Sequence, residues 1–113
     1  MIGTAFAVFD DSNFEAEVLR RKGLVVVDFW SSGCVPCKQL GRVLQQVAEE
    51  LPQKVPIGTV DIGANPGLAE RLNVKSVPTL LFFKDGKLVE TRTGVDRRQV
   101  IKKLIETYAG GQS

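Results

Sequence analysis

Val25-Val26-Val27-Asp28-Phe29-Trp30-Ser31-Ser32-Gly33-Cys34-Val35-Pro36-Cys37-Lys38 decides how this chain folds. The run up to Trp30 is β-branched and aromatic, the composition of a strand buried on both faces. A short turn follows, and then the first turn of a helix. Pro36 is tolerated there, because first-turn N–H groups have no partner within the helix. Both cysteines of the chain fall in that turn. Residues at i and i+3 share one helix face, so the two thiols are close enough to bridge. A helix N-terminus carries partial positive charge and free N–H groups, which favours a thiolate. Thiolate is the form that attacks disulfides and binds metals.

The rest of the composition narrows the field. The chain has 113 residues, 43% of them hydrophobic and 25% charged, with a net charge of +2. That is one ordinary globular domain, with a core large enough to need no staples. The mixed charges give no case for nucleic acid or a membrane surface. Apolar runs are too short for a spanning helix. Met1 to Asp11 lacks the basic start and apolar core of a secretory signal, so a cytoplasmic protein is expected. A Cys34–Cys37 bridge closes four residues. On chain entropy it contributes only about 2 kcal/mol before strain, which makes it a weak staple. The alternative is half of a zinc or iron–sulfur site. Such sites take four ligands, and this chain offers two cysteines and no histidine. Two chains would have to share the ion.

Working outward, Ala5 to Phe9 reads as a short edge strand. Ser12-Asn13-Phe14-Glu15 fits a capping box, opening a helix that Gly23 ends after Lys22. The helix at Cys34 keeps an apolar stripe through Leu40, Val43, Leu44, Val47, Ala48 and Leu51, and Pro52 closes it. Val55 to Asp61 is a further strand. Asn65-Pro66-Gly67 opens a short helix to Leu72. Thr79 to Lys84 and Leu88 to Thr93 form a hairpin around Asp85-Gly86. Asp96, with Gln99 three residues on, caps a last helix that turns Val100, Ile101, Leu104, Ile105 and Tyr108 inward. Gly110 to Ser113 reads as a loose tail. The order is β-α-β-α-β-α-β-β-α over residues 1–113. It predicts an α/β domain with a mixed, mostly parallel central sheet and helices on both faces.

Val27-Asp28-Phe29-Trp30, Cys34-Val35-Pro36-Cys37-Lys38, Val77-Pro78-Thr79 and Phe83-Lys84-Asp85-Gly86 together resemble the thioredoxin family. The resemblance covers nearly the whole chain in the family's order and spacing. Thioredoxin is itself the standard case of a Cys-X-X-Cys thiol that ionises easily, so that property comes with the resemblance. The resemblance implies a dithiol–disulfide oxidoreductase that reduces protein disulfides. Cys34 attacks the substrate disulfide and Cys37 resolves the mixed disulfide. Electrons come from thioredoxin reductase. No bound cofactor or metal is implied beyond the reversible Cys34–Cys37 pair, and a monomer is expected.

Asp28 is a carboxylate in an apolar strand. It either points to solvent or is buried, where desolvation raises its pKa. The resemblance implies burial beneath the dithiol and a role as proton acceptor for Cys37. Pro78 can be a plain proline at the start of a strand. The resemblance implies a cis Val77–Pro78 bond beside the disulfide, with Val77 offering backbone groups to an extended substrate. Gly94 and Val95 form an ordinary strand end and also match the family's third groove-lining turn. Trp30 serves as a core anchor and as a wall of the site. The resemblance implies that Gly33, Val35 and Pro36 line the substrate mouth. Lys38 either steadies a thiolate or is a solvated helix charge.

Four positions depart from the family pattern. Gly33 stands in place of a second Trp, and Val35 in place of a Gly. Thr59 replaces a lysine that often faces the buried acid. Arg42 replaces a mid-helix proline, which predicts a straighter helix. These changes leave open a disulfide oxidase or isomerase on the same fold, and a binding module whose thiols are incidental.

Overall fold

A computed structural model describes residues 6–51 and 54–110. The strands are β1 (Ala7–Val8), β2 (Leu24–Trp30), β3 (Ile57–Asp61), β4 (Thr79–Lys84) and β5 (Lys87–Thr93). The helices are a π-helical segment (Glu15–Leu19), α1 (Val35–Glu50), α2 (Pro66–Arg71) and α3 (Arg98–Gly110). The sheet order is β1-β3-β2-β4-β5. β2 is central and buried throughout except at Trp30.

Four strands run in one sense and only β4 is reversed, so two neighbour pairs are parallel and two antiparallel. The even split departs from the mostly parallel pairing expected of helical crossovers. After α2 the chain re-enters the sheet reversed, beside β2.

Alternation along β2 divides the core. Val25, Val27 and Phe29 pack with Phe14 and Val18 of the first helical segment and Leu68 of α2. Leu24 and Val26 pack on the other face with Leu40 and Leu44 of α1 and Ile101 of α3. Strand periodicity puts Asp28 and Trp30 on this second face, under α1.

Several helix starts differ from expectation. Ser12 does not cap the first helical segment: Phe14 holds the cap position without a side-chain bond, and the turn before it is closed by Asp10. Asp10 Oδ1 accepts from the N–H groups of Ser12 (2.8 Å) and Asn13 (3.0 Å), and Asn13 Oδ1 accepts in return from the Asp10 N–H (2.9 Å). The Ser12 hydroxyl also donates to Asp10, and these bonds hold the Asp10 carboxyl below its ordinary range. The segment begins at Glu15, later than a Ser12 cap would start it, and ends at Leu19 rather than Lys22. Asn65 holds the cap position of α2, but its side chain bonds Asp61 O and the Asp11 N–H instead. Asp96 does not open α3. Its carboxylate takes Arg92 at two points, Nε at 2.9 Å and Nη2 at 3.3 Å. That planar pairing outcompetes a single capping bond.

β3 begins at Ile57 rather than Val55. α3 runs through Gly110, so the expected tail begins no earlier than the next residue. Val100, Leu104 and Tyr108 are only half-buried, while Ile101 and Ile105 are buried. The Asp85-Gly86 turn has positive φ at both residues, as a two-residue hairpin of this type requires. Ala5, Pro52 and residues 111–113 lie outside the described residues.

Gly58 on β3 sits beneath Phe9, and a Cβ there would fall within the Phe9 ring. Phe9 is 2% exposed and has no room to retreat. Gly58→Ala is expected to cost about 1–3 kcal/mol through overpacking. A urea midpoint equal to that of the parent would contradict this.

Candidate active site

β2 ends at Trp30, and the turn through Ser31, Ser32 and Gly33 delivers the chain to α1. Gly33 has φ +79°, a left-handed conformation open to glycine and strained for a bulky side chain. The indole usual in this family is thus replaced by a bare, sharply turned backbone.

Cys34 is the N-cap of α1, with extended backbone, and is half-buried. Its Sγ accepts the Cys37 N–H at 3.1 Å. Cys37 lies one turn in and is only 6% exposed. The Cα atoms are 5.2 Å apart and the two sulfurs are joined as a disulfide. The spacing thus produces the expected arrangement, an outer sulfur at the helix start and an inner one facing the sheet.

Asp28 is 4% exposed, which settles its orientation in favour of burial. Its Oδ1 has no hydrogen-bond partner among the described residues. Burial pushes its carboxyl up to about 7 from an ordinary value near 3.8. Thr59 is its cross-strand neighbour. With a hydroxyl side chain there instead of a lysine, no ammonium offsets the desolvation.

A cleft of about 560 Å³ runs along one side of the disulfide. Asp28, Trp30, Gly33, Cys34 and Cys37 line it, so five of the expected site residues meet there, and Lys38 lies beside them. Phe6, Ser31, Ser32, Gly41 and Thr59 complete the walls. Phe6 and Gly41 were not foreseen. Gly41 carried a signal, a glycine four residues after Cys37 on the same helix face with no turn to make. Phe6 carried none, since β1 reaches the site only through its non-local pairing with β3.

Val35, Pro36, Val77, Pro78, Gly94 and Val95 lie outside that cleft. Val35 is 62% exposed at the start of α1, and Pro36 is exposed beside it. The Val77–Pro78 bond is cis, as the resemblance implies. Thr79 pairs with Phe29, so Pro78 comes level with Trp30. Pro78 O accepts the Gly94 N–H at 2.9 Å, and Val95 beyond it is 40% exposed. The two-point Arg92–Asp96 pair braces this turn. Among the described residues, no three of the His, Cys, Asp and Glu side chains come together as a metal site.

The sequence model of the family described as Thioredoxin matches residues 5–107. A "Thioredoxin" of Chlorobaculum thiosulfatiphilum is 37% identical over 100 residues, covering 88% of this chain and 93% of the relative. "Thioredoxin C-2" of Corynebacterium nephridii is 38% identical over 96 residues, covering 85% and 89%. The chain belongs to the thioredoxin family. Thioredoxins are protein-disulfide oxidoreductases that work through a cysteine pair, and the joined Cys34 and Cys37 supply that pair here.

The raised Asp28 pKa has a sign that can be checked. The folded carboxyl keeps its proton up to about pH 7, while the unfolded one loses it near 3.8. In that window the native state binds more protons, so stability falls as pH rises, by at most about 4 kcal/mol, and levels off above it. Asp28→Ala should therefore gain stability relative to the parent at about pH 8 compared with about pH 4. An equal difference at both pH values, from urea unfolding, would overturn the assignment.

Proposed function

We propose that Cys34 is the attacking sulfur, Cys37 the resolving sulfur and Asp28 the proton acceptor in the reduction of protein disulfides. The observation that carries this reading is the asymmetry of the pair. Cys34 is half-exposed and accepts a backbone N–H at a helix start, whereas Cys37 is buried behind it.

In the reduced protein, the Cys34 thiolate attacks one sulfur of a substrate disulfide. A mixed disulfide forms and the other substrate sulfur leaves as a thiolate. Asp28 takes the proton of the Cys37 thiol. The Cys37 thiolate then attacks Cys34 Sγ, which closes the internal disulfide and releases the second substrate thiolate. Two electrons pass from the protein dithiol to the substrate. A carboxyl that titrates near neutrality suits a proton exchanged in each cycle, and Asp28 titrates at about 7. Thioredoxin reductase restores the dithiol.

Substrate proteins would lie along Val77, Pro78, Gly94 and Val95, over the exposed Val35 and Pro36. Among the described residues, neither backbone polar group of Val77 is engaged, which leaves them open to pair with an extended segment. Trp30 and Gly33 would form the inner wall of that mouth. The protein acts as a monomer in the cytoplasm, a compartment in which protein thiols stay reduced. Among the described residues, no helix is long and apolar enough to cross a membrane.

Cys34→Ser should abolish disulfide reductase activity in an insulin reduction assay. Cys37→Ser should instead accumulate mixed disulfides through Cys34, detectable by mass spectrometry and reversed by dithiothreitol. Full activity in Cys34→Ser would reject the assignment.

A further inference from the structure

We propose that the cleft beside the disulfide binds low-molecular-weight disulfides with an apolar body and a terminal carboxylate, a substrate class separate from the proteins taken on the Val77–Pro78 side. This inference rests on the dithiol reading above.

The cleft of about 560 Å³ falls in the range of small-molecule sites, which are mostly apolar with a few placed polar groups. Its walls combine apolar surface with polar groups of Asp28, Ser31, Ser32, Lys38 and Thr59. Phe6 and Trp30 supply aromatic surface, and Gly33 and Gly41 leave space where other residues would fill it. A Cβ at Gly33 or at Gly41 would meet nothing within 4 Å. Cys34 and Cys37 both line the cleft, so a bound disulfide would lie against the reacting sulfurs. Val77, Pro78, Gly94 and Val95 contribute nothing to it, so the small molecule and the protein segment would share only the wall at Trp30 and Gly33 and otherwise approach the sulfurs from different sides.

The charge preference comes from Lys38. It is the one cation lining the cleft, it is exposed where the cleft's one carboxyl, Asp28, is buried, and it has no ion-pair partner among the described residues. Lys38 lies one helical turn beyond Cys34, on the same face. A carboxylate a few methylenes from the disulfide can therefore reach the ammonium while its sulfur meets Cys34. The chemistry is the exchange already described. The protein dithiol becomes a disulfide, and the small disulfide becomes two thiols.

The test uses the reduced full chain with three probes: dithiodihexanoate, its uncharged diamide, and hydroxyethyl disulfide. The parent should reduce dithiodihexanoate about tenfold faster than hydroxyethyl disulfide, from apolar burial, and about threefold faster than the diamide, from one exposed charge pair. Lys38→Gln should erase the advantage of the acid over the diamide. Gly41→Leu fills the cleft and favours the helix, since leucine is a better helix former than glycine. It should cut dithiodihexanoate reduction about tenfold more than it cuts insulin reduction. Equal rates for all three probes in the parent would overturn the proposal. So would a Gly41→Leu variant that lowers insulin and small-disulfide reduction alike, or neither. A parent protein that reduces no disulfide at all would instead remove the dithiol reading on which the proposal stands.

Discussion

Burial of β2 on both faces is the constraint on which the site depends. A strand packed between two layers has little freedom in direction, so the residue at its end arrives at a defined point. Trp30 marks that end, and Cys34 begins α1 four residues later. α1 is held in turn by Leu40, Leu44 and Val47, all fully buried against the same sheet. The outer sulfur is thus placed by a strand behind it and a helix ahead of it. Buried side chains of this kind act through packing density, where even one methylene is felt.

The same burial makes Asp28 costly. A carboxyl in apolar surroundings without a hydrogen-bond partner resists ionisation. The orphaned Oδ1 and the pKa near 7 are two views of that single fact. A sequence selected only for stability would put an aliphatic residue there, as at Val26 two positions earlier on the same face. Strained or unsatisfied groups collect at functional sites because the surrounding structure can hold them. Here the cost sits directly under the inner sulfur's helix, and the small side chains of Thr59 and Gly41 keep the cleft open beside it.

Local pattern made much of this legible. β2 and β4 have the bounds expected of them, since an apolar run with turn residues at each end leaves few alternatives. α1 was legible from its stripe and from Pro36 in its first turn. Cap positions were not, because the Asp10–Asn13 pair closes the turn in which Ser12 lies and Asp10 takes the Ser12 hydroxyl. Asp96 was misassigned because Arg92, on the preceding strand, competes for its carboxylate. The reversal of β4 is set by where the 62–78 connection returns to the sheet, which no local pattern along it records. In the site, the cysteines and Asp28 stand out by chemistry. Phe6 reaches the cleft through strand pairing between distant segments, and no local signal reports that.

The central claim is that the fold makes the two sulfurs unequal, the outer one reactive and the inner one sheltered. Alkylation of the reduced protein with limiting iodoacetamide at neutral pH, followed by peptide mapping, tests it most directly. The account predicts modification at Cys34 with Cys37 protected until the protein is unfolded. Modification of Cys37 as fast as Cys34 in the native protein would contradict it.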